Sequence, residues 1–252
     1  MQISLKTWMR YKDRLSKIDK RATEDMIKFV HRIGGYGDHV QEVIDYAYAL
    51  SSKYGEAAAA AACEMYDAVA LASGAAVPPA EPASVATYGE VAKAVQGTVK
   101  NSSEVMIPSA VGRLVKRTGA DTTLNNAERD GAQFAWVPMG DTCAFCLTLA
   151  SRGWQYMSKE ARKNGHAEHI HGNCDCTYAI RFNTNTGVEG YDPGRYLDMY
   201  YDADGNTPKE RINSMRRDFY AENKDRINAQ KRSAYEKRKE RESSSAEELN
   251  VD

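Results

Sequence analysis

The sequence predicts an α+β fold that is predominantly α-helical, with long N-terminal helices, a small mixed module and a charged C-terminal helix. Three observations lead to this prediction. Apolar residues recur every three or four positions in the N-terminal half, aromatic and β-branched residues form a strand-like run at 133–137, and basic residues dominate positions 209–241. We therefore expect a helical domain at 1–120, a small module at 121–204 and a charged tail at 205–252.

The N-terminal region is predicted to begin with a hairpin of two long helices. The first helix is expected from Leu5 to His31, and a glycine-rich turn follows at 34–37. The second is expected from Val40 to Leu71, which is long for a helix in a globular protein. The first prediction depends on apolar residues spaced by three and four: Leu5, Trp8, Met9, Tyr11, Leu15 and Ile18.

Small residues and prolines shape the rest of this domain. The alanine run at 57–62 lets a neighbouring helix approach closely, and Cys63 beside it is expected to be a small buried side chain on the same helix. Three prolines exclude a helix interior at 72–84, so we predict a turn or linker there. Two shorter helices are expected near 85–96 and 102–118.

The module at 121–204 is predicted to alternate short helices and strands. A short helix at 123–132 leads into a strand at 133–137, where the text QFAWV is rich in aromatic and β-branched residues. The remaining expected elements are a helix near 145–151, a strand near 154–157, a helix near 159–163, a strand at 177–182 and a helix at 196–203. A module with only a few short strands buries little apolar area. It therefore needs an additional source of stability.

Four of the five cysteines of the chain lie in this module, in two short groups. Cys143 and Cys146 form a Cys-x2-Cys pair, and His171, Cys174 and Cys176 form a His-x2-Cys-x-Cys group. Thiolates and an imidazole at these spacings are the ligands that tetrahedral Zn²⁺ prefers. Two disulfides are the alternative, but a chain of 252 residues with an odd fifth cysteine does not resemble a small disulfide-stapled domain.

Five candidate ligands compete for four positions in the predicted zinc site. We favour Cys143, Cys146, His171 and Cys174, with Cys176 in place of His171 as the main alternative. Either set fills a tetrahedral site and leaves no open position for a substrate, so the sequence predicts a structural Zn²⁺ that contributes folding energy to a small module.

Two catalytic interpretations use the histidines near the second group. His166 and Glu168 match half of a zinc-deaminase signature, but the Cys-x2-Cys pair precedes them, whereas the signature requires it to follow. His169, His171 and Asn173 would suit a nuclease of the HNH type, which also requires an open metal site. No phosphate-binding loop, nucleophile elbow or dinucleotide fingerprint is present. We therefore expect a protein that is not an enzyme.

The tail is predicted to be one strongly charged helix. Thr207, Pro208 and Glu210 match a capping box with proline at the first helical position. Positions 209–241 hold twelve Lys or Arg against six Asp or Glu, and the acidic, serine-rich end after them is expected to be disordered. The basic residues either contact DNA phosphates nonspecifically or form a solvated or protein-binding face. Three tyrosines before this helix are expected to pack on the module: Tyr196, Tyr200 and Tyr201.

Two segments of the sequence resemble the C-terminal module of the phage Mu F-like (MuF) head morphogenesis proteins. They are FAWVPMGDTCAFCLTLASRGWQYMS and, after it, HIHGNCDCTYAIRF. The resemblance covers about 50 residues and implies metal-type positions at Cys143, Cys146, His171, Cys174 and Cys176, with Asp141 as a polar lead-in. It implies a minor capsid protein that acts inside the procapsid near the portal. The alternatives are a zinc-dependent nuclease of the HNH type and a zinc-containing interaction adaptor.

The resemblance also implies partners and a location. The partners would be the portal protein and the major capsid or scaffolding proteins, and the location would be the capsid interior after assembly in the host cytoplasm. No secretory signal or membrane segment is apparent, and a mean hydropathy of -0.62 indicates a chain that does not enter a membrane. Trp8, Trp136 and Trp154 are expected to serve either the core or a protein interface.

Overall fold

The structure, a computed structural model, describes residues 2–35, 39–100, 106–138, 142–158 and 177–248. Over these residues the chain is predominantly helical with a few short strands, in agreement with the predicted fold class. The helices are α1 (Leu5–Arg32), α2 (Val40–Ser73), α3 (Tyr88–Lys100), α4 (Ile107–Arg129), α5 (Ala144–Ala150), α6 (Pro193–Asp202) and α7 (Pro208–Glu248). The strands are β1 (Gln2–Ile3), β2 (Gln133–Val137), β3 (Gln155–Tyr156), β4 (Thr177–Arg181) and β5 (Gly187–Val188).

Helices α1, α2 and α4 pack on one another, and α3 covers α2 and α4. Small residues let α2 and α4 approach closely, because a Cβ placed on Gly119 would lie 3.4 Å from the backbone oxygen of Ala58. Ala58, Ala59, Ala61 and Ala62 are all buried. The predicted close approach of a helix to the alanine run is thus confirmed. Cys63 is only half-buried, so the prediction of a buried thiol was wrong.

The proline-containing segment between α2 and α3 is held in place by side chains of α2 and α4. Asn126 accepts a hydrogen bond from the Glu81 amide at 2.9 Å and donates one to the Glu81 carbonyl at 2.8 Å. Thr122 accepts from the Ala83 amide at 3.0 Å, and Asp67 accepts from the Ala80 amide at 2.8 Å. The predicted linker is therefore an ordered strap across two helices, with its polar backbone groups satisfied by side chains.

Helix α4 is longer than the sequence indicated. Helices were expected at 102–118 and 123–132, with a domain boundary at 121, but α4 continues without a break to Arg129. The separation of these two helices was wrong because the polar residues between them looked like a connection. Thr118, Thr122 and Thr123 are instead buried, and each hydroxyl donates to the carbonyl four residues earlier, at 2.8–3.3 Å.

The module contains a three-stranded antiparallel sheet in the order β3-β2-β4. In the β2–β4 register, Trp136 lies opposite Tyr178 and Val137 opposite Thr177. A second, parallel pair joins β1 to β5, so the N-terminus of the chain is tied to the segment after β4. The amide of Leu5 also donates to Glu189 Oε2 at 2.8 Å, which anchors the start of α1 to the module.

One hydrophobic cluster joins the helices to the sheet. It contains Trp8 from α1, Tyr66 from α2 and Leu124 from α4, together with Phe134, Trp136 and Tyr178 from the sheet. Trp8 and Trp136 are therefore core residues, at 0% and 4% exposure. A second cluster lies among α1, α2, α3 and α4 alone. Within the described residues, the core thus crosses the boundary predicted at 121.

The other predicted elements agree with the structure to within a few residues. The first two helices, the strand at 133–137, and the helices expected near 145–151 and 196–203 are present as α1, α2, β2, α5 and α6. The strands expected at 154–157 and 177–182 are β3 and β4. Helix α7 extends to Glu248, through most of the end that was expected to be disordered. The helix expected at 159–163 lies outside the described residues.

Candidate metal centre

The first cysteine pair lies at the start of α5, directly after the strand β2 and its following loop. Cys143 is the N-cap residue, with extended backbone angles, and its carbonyl accepts the Leu147 amide at 3.1 Å. Cys146 lies in the first turn, and its side chain is 2% exposed. A separation of three residues places both side chains on the same side of a helical turn. The pair can therefore provide two thiolates to one ion.

The sheet register pairs the end of β2, which precedes the first cysteine group in the sequence, with the start of β4, which follows the second group. Val137, the last residue of β2, pairs with Thr177, the first residue of β4. The first pair follows Val137 by six residues, and Cys176 directly precedes Thr177 in the sequence. His171, Cys174 and Cys176 lie in 159–176, outside the described residues, as does Asp141. Among the described residues, the ends of β2 and β4 that adjoin the two groups in the sequence therefore lie side by side.

Two buried threonine hydroxyls border this end of the sheet. Thr142 Oγ1 and Thr177 Oγ1 are buried, and neither has a hydrogen-bond partner among the described residues. Each lies next to a candidate ligand in the sequence, Thr142 before Cys143 and Thr177 after Cys176. A buried hydroxyl without a partner is unfavourable. Thiolate sulfurs accept hydrogen bonds, and such contacts commonly surround zinc ligands. The donor set and these hydroxyls therefore fit a thiolate-bound Zn²⁺.

Aromatic residues brace the other side of α5. Tyr191 donates a hydrogen bond to the Ala150 carbonyl at 2.8 Å, and its ring meets Trp154 edge-on at 5.9 Å between centroids. Arg181 lies 4.8 Å above the Trp154 ring and donates to Gln133 Oε1 at 2.7 Å. Burial raises the pKa of Tyr191. Burial also lowers the pKa of Arg181. The half-buried Trp154 is therefore a packing residue of the module.

Sequence reasoning missed these supporting residues. From the sequence, Tyr191 has no evident role, and Arg181 lies in the expected strand at 177–182 with no assigned role. One signal for Arg181 was available in the sequence. An arginine at the end of an aromatic-containing strand indicates stacking on an aromatic ring, because guanidinium groups stack on such rings.

The start of α7 is fixed to the same module. Arg211 donates to the carbonyls of Tyr201 at 2.7 Å and Tyr200 at 3.3 Å, at the end of α6. Met215 packs with Ala144 of α5. Tyr196 and Tyr200 pack against the module, as predicted, whereas Tyr201 is 64% exposed and the prediction for it was wrong.

The histidines of the two catalytic interpretations, His166, His169 and His171, all lie outside the described residues, with Glu168 and Asn173. Within the described part of the chain, no three His, Cys, Asp or Glu side chains are grouped for metal binding. Among the same residues, no helix has both the length and the apolar composition that a membrane span requires.

Comparison with known proteins gives one family. Neither the curated proteins nor the solved structures include a match to the chain. The VG15 protein family matches residues 2–203, which include α1–α6, the sheet and both cysteine groups. The match therefore extends over most of the chain and ends before α7. On this match, the chain belongs to the VG15 protein family, a family of phage or viral gene products.

Proposed function

We propose that this chain is a minor capsid protein of a phage, which acts in head assembly near the portal inside the procapsid and has no catalytic role. The observation that carries the proposal is the VG15 match over residues 2–203, because it makes the chain a phage or viral protein. The resemblance of both cysteine-containing segments to the MuF module supports the finer assignment to the head.

The arrangement of the helices supports a function through protein contacts. Helix α6 has no buried residue, and Leu197, Met199 and Tyr201 are all exposed on it. Ser214 and Met215 of α7 are buried, and both lie in its first turns. The portal protein and the major capsid or scaffolding proteins are the partners that we propose for these surfaces. Exposed apolar side chains on a helix that is anchored to the module suit such contacts.

The proposed zinc centre would hold the module together. Cys143, Cys146 and Cys174 would bind the ion, with His171 or Cys176 as the fourth ligand. Bound Zn²⁺ would add folding energy to that of the hydrophobic core that the module shares with the helices. Thr142 and Thr177 would orient the ligands by donating hydrogen bonds to sulfur.

Metal analysis of protein purified without chelator tests this centre. We expect about one Zn²⁺ per chain in the wild type and in Cys63→Ser, because Cys63 lies on α2 and belongs to neither cysteine group. Cys143→Ser should lose the metal. Comparison of His171→Ala with Cys176→Ser would identify the fourth ligand. A folded wild-type chain without metal would overturn the zinc proposal and leave the head-assembly role standing.

Peptide mass spectrometry on purified particles tests the role in the head, with the major capsid protein as the standard for copy number. We expect a few copies of this chain per particle. Its presence in procapsids but not in mature heads would support an assembly factor. Its absence from both would overturn the proposal.

A further inference from the structure

A stripe of basic residues runs along one face of α1. Lys6, Arg10, Arg14, Lys17 and Arg21 follow one another at spacings of three or four residues. At about 100° per residue, all five fall within about 80° of the helix circumference, over about 22 Å of its length. Like charges at these spacings destabilise a helix. The stripe is therefore not explained by the stability of α1.

The stripe forms the wall of a groove between α1 and α2. The groove has a volume of about 720 Å³, with Met9, Ile18, Ala57 and Ala60 as its apolar lining and Asp13 as an acidic lining residue. Arg14 is paired with Glu64. In the part of the chain that the structure describes, Lys6, Arg10, Lys17 and Arg21 have no ion-pair partner, and all four are exposed.

These features favour the phosphate backbone of a nucleic acid as the occupant. Duplex DNA carries about one negative charge per 1.7 Å, so it matches a continuous row of cations along a helix. Arginine also binds phosphate oxygens in a bidentate manner. Among the described residues, the groove is lined by no aromatic side chain on which unstacked bases could stack, which disfavours a single strand. Two alanines and two aliphatic side chains offer a partner helix few anchoring contacts.

We propose that the groove between α1 and α2 binds the phosphate backbone of double-stranded DNA through Lys6, Arg10, Lys17 and Arg21. The binding is electrostatic and independent of base sequence, because exposed cations on a helix face contact phosphates and not base edges. This inference rests on the proposed role in the phage head in one respect only: that role makes the packaged phage genome the source of the DNA.

Fluorescence anisotropy with the full chain and a labelled 30-base-pair DNA duplex, from 50 to 300 mM KCl, tests the groove. The test variant is Arg10→Gln with Lys17→Gln. Its salt dependence should weaken by about 1.8 in the slope of log K against log[KCl], since two phosphate contacts are lost. When equal affinity of the two proteins at 1 M KCl is the reference, a slope difference of about 1.8 corresponds to roughly 60-fold weaker binding of the variant at 0.1 M KCl.

The matched control is Lys93→Gln with Arg195→Gln, which removes one lysine and one arginine from exposed sites on α3 and α6. We expect the slope of this control to equal that of the wild type. Circular dichroism should show equal helix content in all three proteins. The proposal is overturned if the wild type fails to bind the duplex at 50 mM KCl, or if the two variants lose the same slope. If the chain is found in particles but does not bind DNA, the proposal for the groove is overturned and the proposed role in the head is retained.

Discussion

Polar side chains connect the strap, α2 and the end of α4. Arg129 donates to both carboxylate oxygens of Asp130, at 2.7 and 2.8 Å, and the Tyr66 hydroxyl donates to Asp130 Oδ2 at 2.8 Å. Arg129 also donates to the carbonyls of Pro78 and Pro79. The hydrogen bond from Arg129, and secondarily that from Tyr66, lowers the pKa of Asp130. Burial and the bond to Asp130 raise the pKa of Tyr66.

Asp130→Asn should therefore destabilise the protein in a manner that depends on pH. The folded-state pKa of Asp130 lies below its unfolded value of about 3.9, so the carboxylate stabilises the fold above that pH. The contribution is lost as the pH falls through the folded pKa. We expect a loss of about 1–3 kcal/mol in the free energy of unfolding at pH 7, since hydrogen bonds to a charged group are removed.

Urea unfolding at pH 7, 5 and 3 measures this effect. The gap between wild type and variant should be equal at pH 7 and 5 and smaller at pH 3. Asp45→Asn is the matched control, because exposed Asp45 also accepts a hydrogen bond from a tyrosine, Tyr88, at 2.6 Å. It should change stability by less than about 0.5 kcal/mol. A gap for Asp130→Asn that stays constant down to pH 3 would contradict the assignment.

At the scale of elements, the sequence predicted those helix ends at which side chains cap the backbone. The capping box at the start of α7 is present: the Thr207 amide donates to Glu210 Oε2 at 3.0 Å, and the Glu210 amide donates to Thr207 Oγ1 at 3.3 Å. Helix α4 was divided because Thr122 and Asn126 are polar, and only the folded strap shows why they are buried. Hydrogen bonds to a distant segment leave no local periodic signal.

The candidate metal centre was predictable to a similar extent. The spacing of Cys143 and Cys146 is visible in the sequence because ligand spacing is a local property. The pairing of Val137 with Thr177, the described residues at the strand ends next to the two groups in the sequence, depends on residues that are 40 positions apart. The buried hydroxyls of Thr142 and Thr177 became apparent only from that packing.

The turn between α6 and α7 depends on a glycine. Gly205 has φ of +138°, and a Cβ there would lie 2.5 Å from Glu210 Cβ and 2.8 Å from the Arg211 amide nitrogen. Gly205→Ala should cost about 1–3 kcal/mol in backbone strain and displace the start of α7. The displacement would also disturb the bonds from Arg211 to the end of α6.

Limited proteolysis at the α6–α7 turn, together with thermal unfolding, checks this prediction. Gly205→Ala should be cut faster than the wild type. The control is Gly89→Ala, because Gly89 lies in α3 and a Cβ there meets nothing within 4 Å. Alanine is also the better helix former, so Gly89→Ala should match or exceed the stability of the wild type. Equal cleavage rates in all three proteins would show that the turn tolerates a side chain.

At the scale of the whole molecule, the helical part and the module share one core and one strap. The β1–β5 pair and the bond from the Leu5 amide to Glu189 hold the start of α1 on the module. Trp8 and Tyr66 lie in the same cluster as Phe134 and Trp136. A shared core of this kind couples the unfolding of its parts. Over the described residues, a substitution that destabilises the sheet should therefore also destabilise the helices.

Phe134→Ala tests this coupling. The side chain is 2% exposed in β2, so its truncation should cost about 3–5 kcal/mol. In urea, with Trp8→Phe in both proteins so that only Trp136 and Trp154 of the module fluoresce, we expect the midpoints from fluorescence and from far-ultraviolet circular dichroism to fall together. The second signal comes mainly from α1, α2, α4 and α7. Tyr156→Ala in the adjacent strand β3 is the control, since Tyr156 is 65% exposed and its loss should shift neither midpoint appreciably. A fall in the fluorescence midpoint alone would mean that the module unfolds as a separate domain, as the boundary predicted at 121 requires. Coincident transitions would instead establish that the sheet and the long helices unfold as one cooperative unit.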